Sequence, residues 1–136
     1  MERIRQKTGR VREYVKYLEA MQPDCKSQFI SNHIYRGAVL HYLYLMADSC
    51  IALAEMVIKK RNLRPPQTYY EAFDILGDND ILDREFACSF AGIAGFRNFL
   101  AHDYDNIDAE KICTDAMNKL PEVKEFLMQI EQALKL

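Results

Sequence analysis

Between residues 32 and 61 apolar side chains wrap almost the whole circumference of a would-be helix. Ile34, Ala38, Val39, Leu43, Met46, Cys50, Leu53, Ala54, Val57 and Ile58 recur at three- and four-residue steps. A helix that is apolar on most sides must be covered by other elements, so this segment predicts the centre of a helical bundle. A single domain of 136 residues offers limited cover for a helix of that length. A second copy of the chain is a natural way to supply the rest.

The flanking segments carry the same helical period, and no alternating strand pattern appears. A first helix is predicted over residues 2–21, with Ile4, Val11, Val15 and Leu18 on one stripe and Pro23 as its stop. After the break at Arg64-Pro65-Pro66, Thr68-Tyr69-Tyr70-Glu71 reads as a capping box. The short helix it opens ends at Gly77. Asp80 is expected to cap a fourth helix over 81–102, and Asp108 a fifth. The stripe of that fifth helix, Ile112, Leu120, Val123, Leu127, Ile130 and Leu134, runs to the C-terminus, with Pro121 kinking or restarting it. The expected fold is all-α: one domain over 1–136, a four- to five-helix up-down bundle.

Net charge is -2, so no overall basic excess points to nucleic acid. Basic residues cluster at Arg3, Arg5, Lys7, Arg10, Arg12 and Lys16, and again at Lys59, Lys60, Arg61 and Arg64. Such runs are ordinarily solvated helix faces. They are also the candidates for phosphate contacts outside the motif described next. No apolar run reaches the roughly 18 residues of a membrane span, and the charged start does not read as a signal peptide. Cys25, Cys50, Cys88 and Cys113 are spread singly, without a C-x-x-C pair. They are expected to be small buried side chains in a reducing cytoplasm rather than a disulfide or zinc framework.

Chemistry concentrates in GFRNFLAHDYDNID, residues 95–108. Arg97 and His102 are five apart, roughly 140° around an ideal helix, so they do not share a face, whereas Asn98 and His102 do. Convergence on one substrate requires either a loosened last turn or a site assembled from two chains. Near a phosphodiester, a histidine moves protons to or from ribose and leaving-group oxygens. An arginine holds the charge that builds on phosphorus. No metal is needed, and no H-x-x-x-H spacing offers a cage for one.

R-N-x-x-x-H-D-Y at the end of the penultimate major helix resembles the HEPN superfamily, and more narrowly the HepT-like toxins encoded beside MntA-type minimal nucleotidyltransferases. Further matching blocks are Met46 to Ile51, Pro66 to Phe73, Gly95 to Asn98, His102 to Tyr104, and Ile107-Asp108. The resemblance implies a HEPN-like bundle that dimerises with its motifs facing across a cleft. It implies a metal-independent endoribonuclease without cofactor, the toxin of a type VII toxin–antitoxin pair, with Arg97 and His102 catalytic. It also implies that a partner nucleotidyltransferase antitoxin silences the toxin by AMPylating Tyr104. The RNA would be tRNA or mRNA. Two departures stand out: Ala52 replaces a second acidic residue one turn after Asp48, and Ala101 replaces a larger aliphatic side chain.

Other readings of the same residues stay open. Arg97 pairs with Asp103 or Asp48, and Asp48 holds Arg36 or Arg97. Asn98 reads as an orienting partner rather than a catalyst. His33 and His41 lack ligand spacing, and Tyr35, Tyr42 and Tyr44 read as core and interface packing. The alternative function is a non-catalytic binding subunit of a minimal nucleotidyltransferase.

Overall fold

A computed structural model describes residues 1–103, 105 and 107–136, and the described residues are helical almost throughout. Seven α-helices follow in order: α1 Glu2–Met21, α2 Cys25–Ser31, α3 His33–Lys60, α4 Tyr69–Asp78, α5 Arg84–Phe90, α6 Ile93–His102 and α7 Leu120–Leu134. A π-helical turn, Lys111–Ala116, and a short 3-10 turn, Met117–Lys119, lead into α7.

α3 is the central rod. It packs against α1, α2, α4 and α6, and twelve of its residues are buried, from Val39 to Ile58. Cover thus comes from within the chain, and the apolar circumference of α3 does not by itself call for a second copy. Ile34, in its first turn, remains 73% exposed. By length and composition α3 is apolar enough to cross a membrane, with 56% of its most apolar window buried in the bundle. The stripes of α1 and α7 are buried as expected. Arg12 donates to Glu131 at 2.8 Å, an ion pair that ties the two helices at their edge. Phe73, Phe90 and Phe126 fill the space between α4, α5 and α7, with ring centroids 4.8 to 5.9 Å apart.

Three local expectations are corrected. The fourth helix is two helices: the chain bends at Ala91-Gly92, between α5 and α6. Its cap is Asp83, whose carboxylate accepts from the Phe86 amide at 3.1 Å. Asp80 sits in the left-handed region at φ 57°, in the turn after α4, a conformation aspartate tolerates better than most residues. The Thr68 cap forms, its hydroxyl accepting from the Glu71 amide at 3.1 Å. Glu71 returns one residue early, to the Gln67 amide at 3.0 Å, and also takes Arg64 at 2.9 Å.

The cysteine reading is overturned in part. Cys25 and Cys113 form a disulfide with Cα atoms 5.5 Å apart, while Cys50 is free and buried and Cys88 free and exposed. Eighty-eight positions separate the bonded pair, so no local spacing announces it. Only the packing of α2 against the π-helical turn brings the two together.

Candidate functional site

α6 carries the motif and keeps regular hydrogen bonding to its end, where the Asp103 amide donates to the Phe99 carbonyl at 2.9 Å. The last turn therefore does not loosen. Arg97 is turned toward α3 and its side chain is 19% exposed. His102, the final residue of α6, is exposed and forms no hydrogen bond or ion pair among the described residues. The wide angle expected between the two is thus kept within one chain.

Arg97 is held from several sides. Its Nε donates to Asp48 Oδ1 at 3.1 Å, Nη2 to the Tyr44 hydroxyl at 3.0 Å, and Nη1 to Asn98 Oδ1 at 3.2 Å. The guanidinium carbon also lies 5.2 Å from the Tyr44 ring centre and 5.4 Å from that of Tyr69, within cation–π range. Burial opposes its charge, but the Asp48 hydrogen bond and the Tyr44 and Asp48 oxygens outweigh that, and its pKa is raised. A guanidinium has five N–H groups. Three are committed here, which leaves one on each terminal nitrogen for an anion.

The open choices resolve in one direction. Asp48, 45% exposed, holds Arg97, whereas Arg36 donates to the Phe29 carbonyl at 3.2 Å. Asn98 orients Arg97, as its amide oxygen takes one guanidinium N–H. Tyr44 packs against the core as expected and is also a direct partner of Arg97. Its place four residues before Asp48, on the same face of α3, was the available signal. Tyr69 is a further neighbour of Arg97 with no signal in the sequence, because nothing local links the start of α4 to α6. Gly95 explains how α4 comes so close: a Cβ there would stand 2.3 Å from the Tyr70 hydroxyl. Tyr104 lies outside the described residues.

Beyond the motif, Asp108 caps the next element, its carboxylate accepting from the Lys111 amide at 2.8 Å. The helix then opens as a wide π turn, a geometry that recurs at functional sites. A cavity of about 280 Å³ beneath it, lined by residues that include Met46, Ile93, Phe96, Lys111 and Val123, contains neither Arg97 nor His102.

Comparison with known proteins gives a consistent result. The mRNA nuclease HepT of Shewanella oneidensis is 21% identical over 121 residues, covering 89% of this chain and 90% of that protein. The tRNA nuclease HepT of Aphanizomenon flos-aquae is 27% identical over 126 residues, covering 93% and 84%. Among solved structures, the tri-AMPylated Shewanella oneidensis HEPN toxin in complex with its MNT antitoxin superposes with a TM-score of 0.83. It is 21% identical and covers 95% of this chain and 96% of that one. A toxin–antitoxin complex with AMP-PNP gives 0.86 at 20% identity, over 97% and 99%. The sequence profile of the family described as Ribonuclease HepT-like matches residues 4–130, and the chain belongs to that family.

Proposed function

We propose that this chain is the ribonuclease toxin of a toxin–antitoxin pair, cleaving RNA through Arg97 and His102 without a metal. The observation that carries the reading is the guanidinium of Arg97, fixed by Asp48, Tyr44 and Asn98 with two N–H groups to spare. Held in that way, it is preorganised for the non-bridging oxygens of a phosphodiester and needs no rearrangement as charge develops. Relatives named as mRNA and tRNA nucleases support an RNA substrate of either class.

In this mechanism an imidazole takes the proton from a ribose 2′-hydroxyl, and the 2′-oxygen attacks phosphorus. The 5′-oxygen leaves with a proton from water, so that each site uses one histidine, and a 2′,3′-cyclic phosphate remains. Because Arg97 and His102 diverge within one chain, the working site is a homodimer cleft in which one protomer's histidine meets its partner's arginine. The partner antitoxin is a minimal nucleotidyltransferase, a reading supported by the neighbours solved with an MNT antitoxin. It adenylylates Tyr104 and so puts bulk and negative charge where an RNA phosphate must bind. The cytoplasm, where RNA and such a partner meet, is the proposed compartment.

The test is direct. Purified protein is incubated with total tRNA and with mRNA in the presence of a chelator, beside His102→Ala and Arg97→Ala. Each variant is expected to lose about 10²- to 10⁴-fold in cleavage while keeping its helical signal. Equal cleavage by all three would end the proposal, and co-purification with a nucleotidyltransferase with no cleavage even by protein lacking AMP would favour a non-catalytic binding subunit. Intact mass after co-expression with the partner is expected to rise by whole AMP units and to stop doing so in Tyr104→Phe.

A further inference from the structure

A second feature lies beside Arg97. Glu55, Pro66, Gln67, Thr68 and Tyr69 line a cleft of about 280 Å³ between α3 and the start of α4. Tyr69 belongs to both places: it walls this cleft, and its ring centre is 5.4 Å from the Arg97 guanidinium. Glu55 lies seven residues after Asp48 on α3, which is about 10 Å along the helix and within roughly 20° of the same face. It is exposed and makes no ion pair among the described residues. The neighbouring carboxylate, Glu71, is held through one oxygen, Oε1, which accepts from the Gln67 amide and from Arg64, and it does not line the cleft.

We infer that this cleft is a base-reading subsite that takes one unstacked guanine of single-stranded RNA, next to the phosphate gripped by Arg97. The inference rests on the ribonuclease reading for the position of that phosphate. Single-stranded bases are recognised by stacking on aromatic rings and by hydrogen bonds to their Watson–Crick edges. Tyr69, 38% exposed, supplies the ring. Glu55 supplies a charged acceptor, which repels phosphate and so keeps the backbone on the Arg97 side. Guanine alone among the common bases offers an N1–H and an amino group side by side, matching the two oxygens of a carboxylate. Adenine and cytosine set a ring acceptor next to the amino group, and uracil flanks its single N–H with carbonyls. Each of those costs a repulsion or leaves one carboxylate oxygen unpaired.

The experiment uses the full chain carrying His102→Ala, so that binding is read without cleavage. Fluorescence anisotropy is measured with oligouridylate 12-mers whose central residue is guanosine, adenosine or abasic. Guanosine is expected to bind about 5- to 100-fold tighter than the abasic oligomer, the range of one stacked and bidentate-bonded base. Glu55→Ala should bring guanosine to the level of adenosine. Tyr69→Ala should erase the advantage of either base over abasic, and Tyr69→Phe should keep it. Equal affinity for all three oligomers, or a guanosine preference surviving in Glu55→Ala, overturns the inference. Wild-type cleavage is assayed in parallel. Cleavage without base preference sinks the subsite alone, and base preference without cleavage sinks the ribonuclease reading alone.

Discussion

The Nε of Arg97 and the Oδ1 of Asp48 meet at 3.1 Å across 49 positions of sequence, joining the motif helix α6 to the central rod α3. Asp48 is nearly half exposed, so the pair contributes little to stability. Its effect is to fix the direction of the guanidinium. Asp48→Asn keeps the shape of the side chain and removes the charge. It is expected to lower cleavage by about 10-fold while changing the melting temperature little. Arg97→Lys keeps a cation but loses the planar fork that serves three partners at once. It should be almost as inactive as Arg97→Ala. Cleavage rates of the three variants on one RNA check this, and full activity in Arg97→Lys would contradict it.

The Cys25–Cys113 bond closes a loop of 88 positions. In chain-entropy terms such a link is worth about 4–5 kcal/mol by restricting the unfolded chain. Reduction in a cytoplasm-like thiol buffer, or Cys25→Ser, is therefore expected to lower the urea midpoint substantially. The ion pair Lys26–Glu110, 3.5 Å apart and exposed beside the bond, is too weak to replace it. Identical denaturation curves with and without reductant would show that the bond does not form in solution.

The two remaining thiols should differ sharply. Burial pushes the Cys50 thiol far above its ordinary value, while Cys88 is exposed. A thiol-specific reagent at pH 8 is expected to modify Cys88 in the folded protein and to reach Cys50 only on unfolding. The sign of the linkage follows. The neutral form of Cys50 is favoured in the folded state, so its contribution is intact below the ordinary thiol value. It declines as pH rises past that value, because only the unfolded chain then ionises. Stability measured from pH 7 to 10 should fall less in Cys50→Ala, once tyrosine ionisation is accounted for.

Much of this was legible beforehand, for identifiable reasons. The stripes of α1 and α7 are buried because a 3.6-residue period has one packing solution. Thr68 caps α4 because the signal is local. Apart from the one-residue shift of the Glu71 bond from Thr68 to Gln67, the misses depend on non-local packing. Asp80 is taken up by the turn after α4, and Asp83, not the expected Asp80, caps the next helix. The disulfide depends on α2 meeting the π turn. Tyr44 and Tyr69 become partners of Arg97 only when α3, α4 and α6 come together. The motif residues could be named from their order, and Asp48 and Asn98 as partners of Arg97 from their type and place, but the Tyr44 and Tyr69 contacts could not.

Two glycines should respond in opposite ways to the same substitution. A Cβ on Gly77 would sit 2.9 Å from the Ala87 Cβ and 3.6 Å from the Arg84 Cα, where α4 crosses α5. Neither atom can swing aside, so Gly77→Ala must push the helices apart, at a cost of about 1–3 kcal/mol. Gly37, within α3, has nothing within 4 Å of that position. Gly37→Ala should stabilise the protein by about 0.5–1 kcal/mol through helix propensity and a less flexible unfolded chain. Thermal denaturation of the pair checks both signs.

The decisive question for the proposed activity is whether Arg97 and His102 act from different chains. The regular end of α6 keeps them apart within one chain, so each single variant retains one half of a composite site. Mixing Arg97→Ala with His102→Ala, after unfolding and refolding together, produces mixed dimers. In these, the His102 of one protomer faces the Arg97 of the other at one of two sites. Activity is expected to recover to about a quarter of wild type, since half the dimers are mixed and each has one intact site. The recovery should depend on protein concentration and vanish when either variant is refolded alone. An inactive mixture, from variants shown to form mixed dimers, would mean that both groups work within one protomer and that α6 must rearrange on binding RNA.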